Sequence, residues 1–284
     1  MSARWLVTGG AGFIGARFVA RLRERGDRVA IASPNATGPD AIRADIFDED
    51  EMDEALRIAR PTHLALVAWT TEHRTFWNDP ANVRWQEANQ RLVDRFLTAG
   101  GEAVLGVGTC AEYAWNGEPL DERAPLQPDT PYGVAKAALG ASVAKSCAAA
   151  GARSAWGRIF FVYGPGEGDV KLATALVRAS EDGVPFAAAE PDRRVDLIYV
   201  DDAAEALATI AASGAGAYNI GSGTGTSVRE LATLAGVAIA APAEPVPLRP
   251  DVVADIAHLR GLGWSPSTPL ARGLDAVRAA RLAR

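Results

Sequence analysis

Short apolar runs and longer amphipathic segments alternate along the first part of the chain. The apolar runs predict strands at Trp5–Thr8, Arg28–Ala32, His63–Ala68, Ala103–Gly108, Arg153–Phe160 and, later, Asp196–Val200. The amphipathic segments predict helices near Phe13–Arg25, Glu49–Ala59, Asn82–Ala99 and Tyr132–Ala150. Strands that alternate with helices form parallel sheets covered on both faces, so the pattern predicts an α/β fold with a doubly wound parallel sheet.

This alternation ends near Tyr163. Glycine and proline make residues 164–168 a loop, and a helix is expected near Val170–Glu181, followed by shorter elements. No linker rich in serine, glycine or proline separates the two parts. We therefore expect residues 1–163 to form a dinucleotide-binding domain, to which a segment near 195–218 returns. Residues 164–284 are expected to form most of a smaller, interleaved C-terminal substrate lobe.

The assignment of the first domain depends on residues 8–15, which read Thr-Gly-Gly-Ala-Gly-Phe-Ile-Gly between the first strand and the first helix. Gly9, Gly12 and Gly15 allow a tight turn and leave room for a phosphate beside the backbone. The N-terminal end of the following helix favours that anion. An isolated glycine pattern is equally compatible with a turn that binds nothing, but this position is typical of a dinucleotide-binding βαβ unit.

Composition removes several functional classes. The net charge is −6, whereas surfaces that bind nucleic acid or anionic lipid are basic. No apolar stretch reaches the roughly 18 residues of a membrane span, and the chain enters a strand at once, without a signal-peptide pattern. We therefore expect a cytoplasmic protein with no nucleic-acid or membrane partner.

Cysteine and histidine are too few and too scattered to predict a metal site. Cys110 and Cys147 lack the Cys-x-x-Cys spacing, and His63, His73 and His258 are far apart in sequence. We expect neither a metal ion nor a disulfide framework.

Tyr132 and Lys136 lie four residues apart in the fourth predicted helix and so share one face. With 5 tyrosines and 3 lysines in 284 residues, about 0.05 such pairs are expected by chance. An ammonium group beside a phenol favours the phenolate and lowers the pKa of that phenol. The pair therefore suits proton transfer at neutral pH.

Thr109 follows the apolar run 103–108 and is expected at the carboxyl end of a strand, where α/β proteins bind ligands. A threonine after a strand is by itself more often a cap of a turn. In company with Tyr132 and Lys136, its hydroxyl is well placed to hydrogen-bond a substrate oxygen. We therefore predict that Thr109, Tyr132 and Lys136 are catalytic.

These motifs resemble the extended short-chain dehydrogenase/reductase family, in its branch of sugar-nucleotide epimerases, dehydratases and reductases. The resemblance runs from residue 4 to about 275 and includes Ala44-Asp-Ile46, Tyr163-Gly-Pro-Gly166, the segment Asp196–Asp202, Tyr218-Asn-Ile-Gly221 and Leu262-Gly-Trp264. It implies a Rossmann-type fold, Tyr132 as the proton donor and acceptor, and a nucleotide-sugar substrate. It also implies a homodimer that pairs through the helices near 82–99 and 132–150.

The resemblance extends the predicted cofactor site beyond the glycine turn. Asp45 and Ile46 would flank the adenine, and Lys136 would also hold the nicotinamide ribose. The cofactor-binding residues predicted in this way are Gly9, Gly12, Phe13, Ile14, Gly15, Ser33, Asp45, Ile46, Ala68, Tyr132 and Lys136.

Departures from the family bear on the reaction. Dehydratases of this branch carry Asp-Glu after the catalytic threonine, where this chain has Cys110-Ala111, so dehydration is not expected. Epimerases of the fucose-synthase type carry a cysteine two residues after the catalytic hydroxyl and a histidine after Gly-Pro. Those positions are Ala111 and Gly166 here, and Cys110 is expected to be a small buried residue. A ketoreductase, or a 4-epimerase that oxidises and re-reduces one carbon, remains.

Ser33 ends the second predicted strand, where NAD-specific members carry an acid for the ribose 2′-hydroxyl. A serine does not repel a 2′-phosphate, so the sequence favours NADP, with NAD left open. Arg43 is a candidate to bind that phosphate, although a plain surface charge is the more ordinary interpretation.

Substrate contacts are predicted for Glu112, Arg194 and Arg249. Glu112 could contact sugar hydroxyls or could equally be a solvated loop carboxylate. Arg249 matches a position at which the family binds pyrophosphate, and Arg194 stands just upstream of another. A guanidinium suits bidentate contact with phosphate, but surface arginines are also common. Packing and base stacking are both open for three tryptophans in or after the third strand's loop, Trp69, Trp77 and Trp85.

The sequence thus predicts an NADPH-dependent reductase of a keto-deoxysugar nucleotide, acting at C4. Tyr132 would protonate the carbonyl oxygen, Thr109 would orient that oxygen, and Lys136 would tune the phenol. An NAD-dependent sugar-nucleotide 4-epimerase and a non-catalytic NAD(P)-binding regulator are the alternatives.

Overall fold

The computed structural model describes residues 2–70, 75–240, 246 and 249–283, so His73 lies outside the described residues. The strands are β1 Arg4–Thr8, β2 Arg28–Ser33, β3 Ala41–Arg43, β4 His63–Leu66, β5 Ala103–Thr109, β6 Arg153–Ile159, β7 Phe161–Tyr163, β8 Phe186–Ala187, β9 Arg194–Tyr199, β10 Gly216–Ile220, β11 Gly225–Ser227 and β12 Ile239–Ala240. The helices are α1 Gly15–Glu24, α2 Glu49–Ala59, α3 Ala81–Thr98, α4 Pro131–Ala150, α5 Leu172–Glu181, α6 Val200–Ser213, α7 Val228–Ala235, α8 Ala257–Arg260 and α9 Leu270–Leu282. None of the helices within these ranges has the length and apolar character that crossing a bilayer requires.

The chain divides into two compact units. The first unit comprises residues 1–114, 125–159 and 204–218, and the second unit comprises residues 115–124, 160–203 and 219–284. The functional roles expected for residues 1–163 and 164–284 remain predictions.

The central sheet has seven strands in the order β3-β2-β1-β4-β5-β6-β10. All pairs from β3 to β6 are parallel. The strand order reverses between β1 and β4, and such switch points are where doubly wound sheets bind ligands. The predicted α/β fold of Rossmann type is confirmed.

Local sequence accounts for the helix ends that matter to the site. At α1, the N–H of Gly12 donates to the carbonyl of Gly9 at 3.0 Å, so Phe13 and Ile14 belong to the turn and the helix begins at Gly15. At α4, the Thr130 side chain caps the N–H of Gly133, and proline occupies the first helical position, where its missing N–H costs nothing.

Burial of one face of each element holds the first unit together. Leu6, Leu64 and Val104 on the central strands are at most 2% exposed, and they pack against Phe96 of α3 and Leu139 of α4. The burial of this apolar surface is the main stabilising contribution, and it fixes β5 and α4 side by side.

The second unit contains two small sheets, in the orders β11-β9-β7 and β12-β8. Its core contains Leu176 and Val177 of α5, Leu231 of α7 and Leu274 of α9. Buried Asp196 of β9 accepts hydrogen bonds from the backbone N–H groups of residues 222, 223 and 254, and so fixes the loop after β10.

Candidate active site

The glycine turn between β1 and α1 is closely packed. Gly9 has φ of +70°, and a Cβ there would lie 2.6 Å from the backbone nitrogen of Ala68. A Cβ on Gly15 would lie 2.0 Å from the Gly9 carbonyl oxygen. Because α1 begins without a side-chain cap, its first backbone N–H groups can bind an anion. The turn therefore fits a dinucleotide phosphate.

The other predicted cofactor residues lie at the ends of β2 and β3. Ser33 is the last residue of β2, and in the β2–β3 register it lies opposite exposed Arg43. Asp45 directs its carboxylate to the N–H of Phe47 at 3.0 Å, and Ile46 is half-buried. The contacts predicted for these residues with a dinucleotide remain predictions.

Thr109, Tyr132 and Lys136 come together where β5 ends beside α4, and all three are buried. The Thr109 hydroxyl hydrogen-bonds the Tyr132 phenol and accepts a bond from the Ala111 N–H at 3.2 Å. The Lys136 ammonium donates to the Val107 carbonyl at 2.9 Å. A phenol, a hydroxyl and an amine are thus available for proton transfer.

Three aromatic side chains, Trp69, Phe76 and Trp77, form a cover over the Tyr132–Lys136 pair. Their ring centroids lie 6.2, 5.0 and 5.6 Å from the Tyr132 ring, each near edge-on. The Lys136 nitrogen lies 3.9 Å from the centre of the Trp69 ring, a cation–π contact. The cover removes water from the proton-transfer groups.

Hydrogen bonds to a residue of α3 hold the aromatic cover in position. Buried Asn82 accepts a hydrogen bond from the Trp69 indole at 2.8 Å and donates to the Phe76 carbonyl at 2.7 Å. Trp85 stacks on Trp69 at 5.9 Å. In the described structure, the three tryptophans left open by the sequence therefore pack at or beside the Tyr132–Lys136 pair.

Burial moves both titratable groups of the pair away from their charged forms. It raises the pKa of Tyr132 above the ordinary range, against the opposing hydrogen bond from Thr109. It lowers the pKa of Lys136 to about 7, while the negative charge of Glu112 acts in the opposite direction. Near neutral pH the phenol is protonated, and Lys136 is close to exchanging its proton.

Glu112 occupies an environment that neither sequence interpretation included. The residue is fully buried, so the solvated loop carboxylate is wrong. Its oxygens accept hydrogen bonds from the Thr109 N–H at 2.9 Å, the Trp156 indole at 3.0 Å and the Arg158 guanidinium at 2.7 Å. The predicted contact with sugar hydroxyls remains a prediction, and these internal bonds do not favour it. Cys110 is buried, as expected.

The two predicted substrate arginines belong to the second unit, and both have partners within it. Arg194 donates to the Gly225 carbonyl at 2.8 Å and lies 3.4 Å from Glu230. Arg249 contacts Glu190 through two guanidinium nitrogens, at 2.7 and 2.5 Å. Their phosphate contacts remain predictions.

Comparisons with known proteins bear on the family and the fold of this chain. The model of the NAD dependent epimerase/dehydratase family matches residues 5–221. UDP-glucose 4-epimerase of Streptomyces lividans is 27% identical over 266 residues, which cover 81% of this chain and 79% of that protein. The crystal structure of Thermus thermophilus UDP-glucose 4-epimerase with NAD has a TM-score of 0.84, 28% identity and 98% coverage of both chains. The structure of MoeE5 with UDP-glucuronic acid and NAD has a TM-score of 0.87 and 26% identity, and covers 98% of this chain and 99% of MoeE5.

Proposed function

We propose that this chain, which belongs to the NAD dependent epimerase/dehydratase family, is a nucleotide-sugar 4-epimerase. It is an NAD(P)-dependent enzyme of the extended short-chain dehydrogenase/reductase type. The observation that carries the proposal is the buried cluster of Thr109, Tyr132 and Lys136. Because Glu112 is bonded to Trp156 and Arg158, Tyr132 is the group of this cluster that would exchange a proton with the sugar oxygen. A reaction at one carbon with one acid–base group is the chemistry that this arrangement supports.

The relatives support the 4-epimerase more than the ketoreductase favoured by the sequence. The relative in Streptomyces lividans and the Thermus thermophilus structure both carry the name UDP-glucose 4-epimerase. Both similarities extend over most of this chain. Nucleotide sugars with a glucose-like 4-hydroxyl are therefore the first substrates to test.

A nicotinamide dinucleotide fits the first unit. Gly9, Gly12 and the uncapped start of α1 would hold its pyrophosphate, and Lys136 would hold the nicotinamide ribose. When bound, this group supplies the acceptor and donor of hydride that a redox epimerisation requires.

Tyr132 carries the proton chemistry in this proposal. Its phenolate would take the proton from the sugar 4-hydroxyl, although burial favours the phenol in the described structure. Its phenol would return that proton to the same oxygen after the sugar presents its other face. Thr109 holds that oxygen by a hydrogen bond. Lys136, with a pKa of about 7, exchanges protons near neutral pH. When charged, an ammonium beside the phenol would act against the effect of burial and favour the phenolate.

The test is turnover of nucleotide sugars by the purified protein. Incubation with UDP-glucose or dTDP-glucose should give the 4-epimer, separated by anion-exchange chromatography, with no net consumption of cofactor. Tyr132→Phe keeps the ring inside the aromatic cover but removes the proton, and should lower kcat about 1,000-fold. A wild-type protein that yields no epimer from a panel of nucleotide sugars would overturn the proposal.

The 4-ketoreductase is the second candidate, and two observations favour it. Ser33 places no carboxylate at the end of β2, where Arg43 lies opposite, so a 2′-phosphate meets no repulsion there. Burial also keeps the Tyr132 phenol protonated, which is the form that donates a proton to a ketone.

The two candidates differ in cofactor turnover. A reductase consumes NADPH stoichiometrically with a 4-keto-6-deoxy nucleotide sugar, measured as loss of absorbance near 340 nm. An epimerase shows no such stoichiometric consumption. Mass spectrometry of cofactor released from the purified protein distinguishes retained NAD from retained NADP.

A further inference from the structure

We propose that Glu112 is a positioning residue, whose carboxylate fixes the backbone at Thr109 and sets the electrostatic field at Tyr132 and Lys136. The effect expected on kcat rests on the proposed function, whereas the effect expected on the titration of Lys136 does not.

The carboxylate holds the segment that bears the catalytic hydroxyl. One oxygen of Glu112 accepts the backbone N–H of Thr109 at 2.9 Å, while the Thr109 hydroxyl accepts the N–H of Ala111 at 3.2 Å. These reciprocal bonds form a capping box over the turn at residues 110–112. With Oγ1 already accepting from Ala111, the Thr109 proton is free to be donated to the phenol or to a substrate.

The central sheet makes room for the Trp156 indole, which orients the Glu112 carboxylate. The parallel register of β5 and β6 places Trp156 opposite Gly106 and Arg158 opposite Gly108. A Cβ on Gly106 would lie 2.0 Å from the Trp156 ring, and a Cβ on Gly108 would lie 2.2 Å from its indole nitrogen and 2.3 Å from Glu112. The two glycines thus make room for the indole to donate to Glu112 at 3.0 Å.

Arg158 supplies the charge that makes burial of this carboxylate tolerable. Its Nε donates to Glu112 at 2.7 Å, and another guanidinium nitrogen donates to the Tyr113 hydroxyl at 2.8 Å. Burial would lower the pKa of Arg158, but Glu112 and Tyr113 raise it above its ordinary value. Close ionic contact and additional hydrogen bonds are what offset the cost of burying two charges.

This fixed negative charge acts on the catalytic pair. Burial is the main cause of both pKa shifts, and the charge of Glu112 raises the pKa of Lys136 and of Tyr132. Thr109 and Cys110 are the other groups that act on the phenol, and Trp69 faces the ammonium. Removal of the charge should therefore lower the pKa of Lys136 below about 7.

Only three lysines occur in the chain, at positions 136, 145 and 171, and this makes the prediction measurable. Protein grown on lysine labelled with ¹³C at Cε gives three titrating signals, and Lys136→Met assigns one of them. In Glu112→Gln, which keeps an acceptor oxygen for the Thr109 N–H, the midpoint of the Lys136 signal should fall. Its kcat should fall about 10- to 100-fold with a shifted pH profile and a smaller change in KM.

The matched control is Glu167→Gln, which changes a buried glutamate of the second unit in the same way. It should leave the Lys136 midpoint and the pH profile of kcat unchanged. Should Glu112→Gln fail to fold because Arg158 loses its partner, the double variant Glu112→Gln/Arg158→Met removes both buried charges and carries the same expectation for Lys136.

The outcomes separate this proposal from the proposed function. A lowered Lys136 midpoint upholds the electrostatic role even if no nucleotide sugar is turned over, whereas that absence of turnover overturns the function alone. A folded Glu112→Gln with the wild-type Lys136 midpoint overturns the positioning proposal. A midpoint that falls equally in Glu167→Gln also overturns it, because the shift would then not be specific to Glu112.

Discussion

Two buried glutamates, one in each unit, each accept a backbone N–H beside a helical turn, but they differ in whether an arginine is bonded to the carboxylate. Glu112 receives the N–H of Thr109 at 2.9 Å at the start of a helical turn, and Glu167 receives the N–H of Thr174 at 3.0 Å in the first turn of α5. Glu112 also has Arg158 at 2.7 Å. The additional bond to Glu167 comes from the Thr174 hydroxyl at 2.9 Å.

The difference in partners determines how far the cost of burying each carboxylate is offset. Burial raises the pKa of Glu167 to about 7, because hydrogen bonds from Thr174 and the positive charge of Lys171 offset only part of the cost of desolvation. Glu112 forms an ion pair with Arg158, and its negative charge acts on Tyr132 and Lys136. A carboxylate that must set a field near a reaction therefore needs its own cation, whereas one that only caps a helix can become neutral.

The test with the largest expected effect removes the cation beside Glu112. Arg158→Met leaves Glu112 buried without its ionic partner, and the free energy of unfolding should fall by about 3–5 kcal/mol. Lys171→Met in the second unit should cost less than about 1 kcal/mol, because Lys171 is half-buried and acts on Glu167 mainly through its field. Urea unfolding measures both, and equal losses would contradict the comparison.

A second test crowds the network without touching a charge. In Gly108→Ala the new methyl group would meet both the Trp156 indole and the Glu112 carboxylate, so we expect a loss of about 2–3 kcal/mol. Gly168→Ala is the control, because this glycine is exposed and its new methyl group would meet no atom within 4 Å, so we expect almost no loss. Thermal unfolding should separate the two variants clearly.

The third test uses the pH dependence of Glu167. The folded pKa of about 7 lies above the ordinary value of 4.5, so folding favours the protonated form. Its contribution to stability is complete below about pH 4.5 and is lost as the pH rises to about 7. Glu167→Gln cannot ionise, and at pH 8 it should be more stable than the wild type by roughly 1–3 kcal/mol. The gap should nearly close at about pH 5.

Urea unfolding at four pH values checks this, since each curve gives a free energy. If the difference in the free energy of unfolding between Glu167→Gln and the wild type stays constant from about pH 5 to about pH 8, Glu167 does not titrate in that range.

Strong periodicity explains why most of the first unit could be predicted. The expected bounds of α2, Glu49–Ala59, match the structure, and β5 and α4 each differ by one residue at one end. Strand β3 has three residues, too few to show a period, so no pattern indicated that Arg43 lies opposite Ser33. Most of the later strands are equally short, and they were expected only in general terms.

The cluster of Thr109, Tyr132 and Lys136 could be predicted from the sequence because residue type and spacing indicated it. The network around Glu112 was not accessible, because its partners lie more than 40 residues later on another strand. Trp156 and Arg158 stood inside a run interpreted simply as a strand, and Gly106 and Gly108 lay within another. Only the β5–β6 register makes the glycines complementary to the indole.

The smallest test asks whether a hydrogen bond is worth more to the charged glutamate than to the neutral one. Trp156→Phe removes the indole N–H donor to Glu112 and should cost about 1–2 kcal/mol, because bonds to charged groups are the stronger ones. Thr174→Val removes the hydroxyl donor to Glu167 and should cost about 0.5–1 kcal/mol at pH 6, where that carboxyl is mostly neutral. At pH 8 Glu167 becomes charged, so the cost of Thr174→Val should rise towards that of Trp156→Phe. If the cost of Thr174→Val instead stays constant between pH 6 and 8, the difference between the two glutamates lies in their packing and not in their charge.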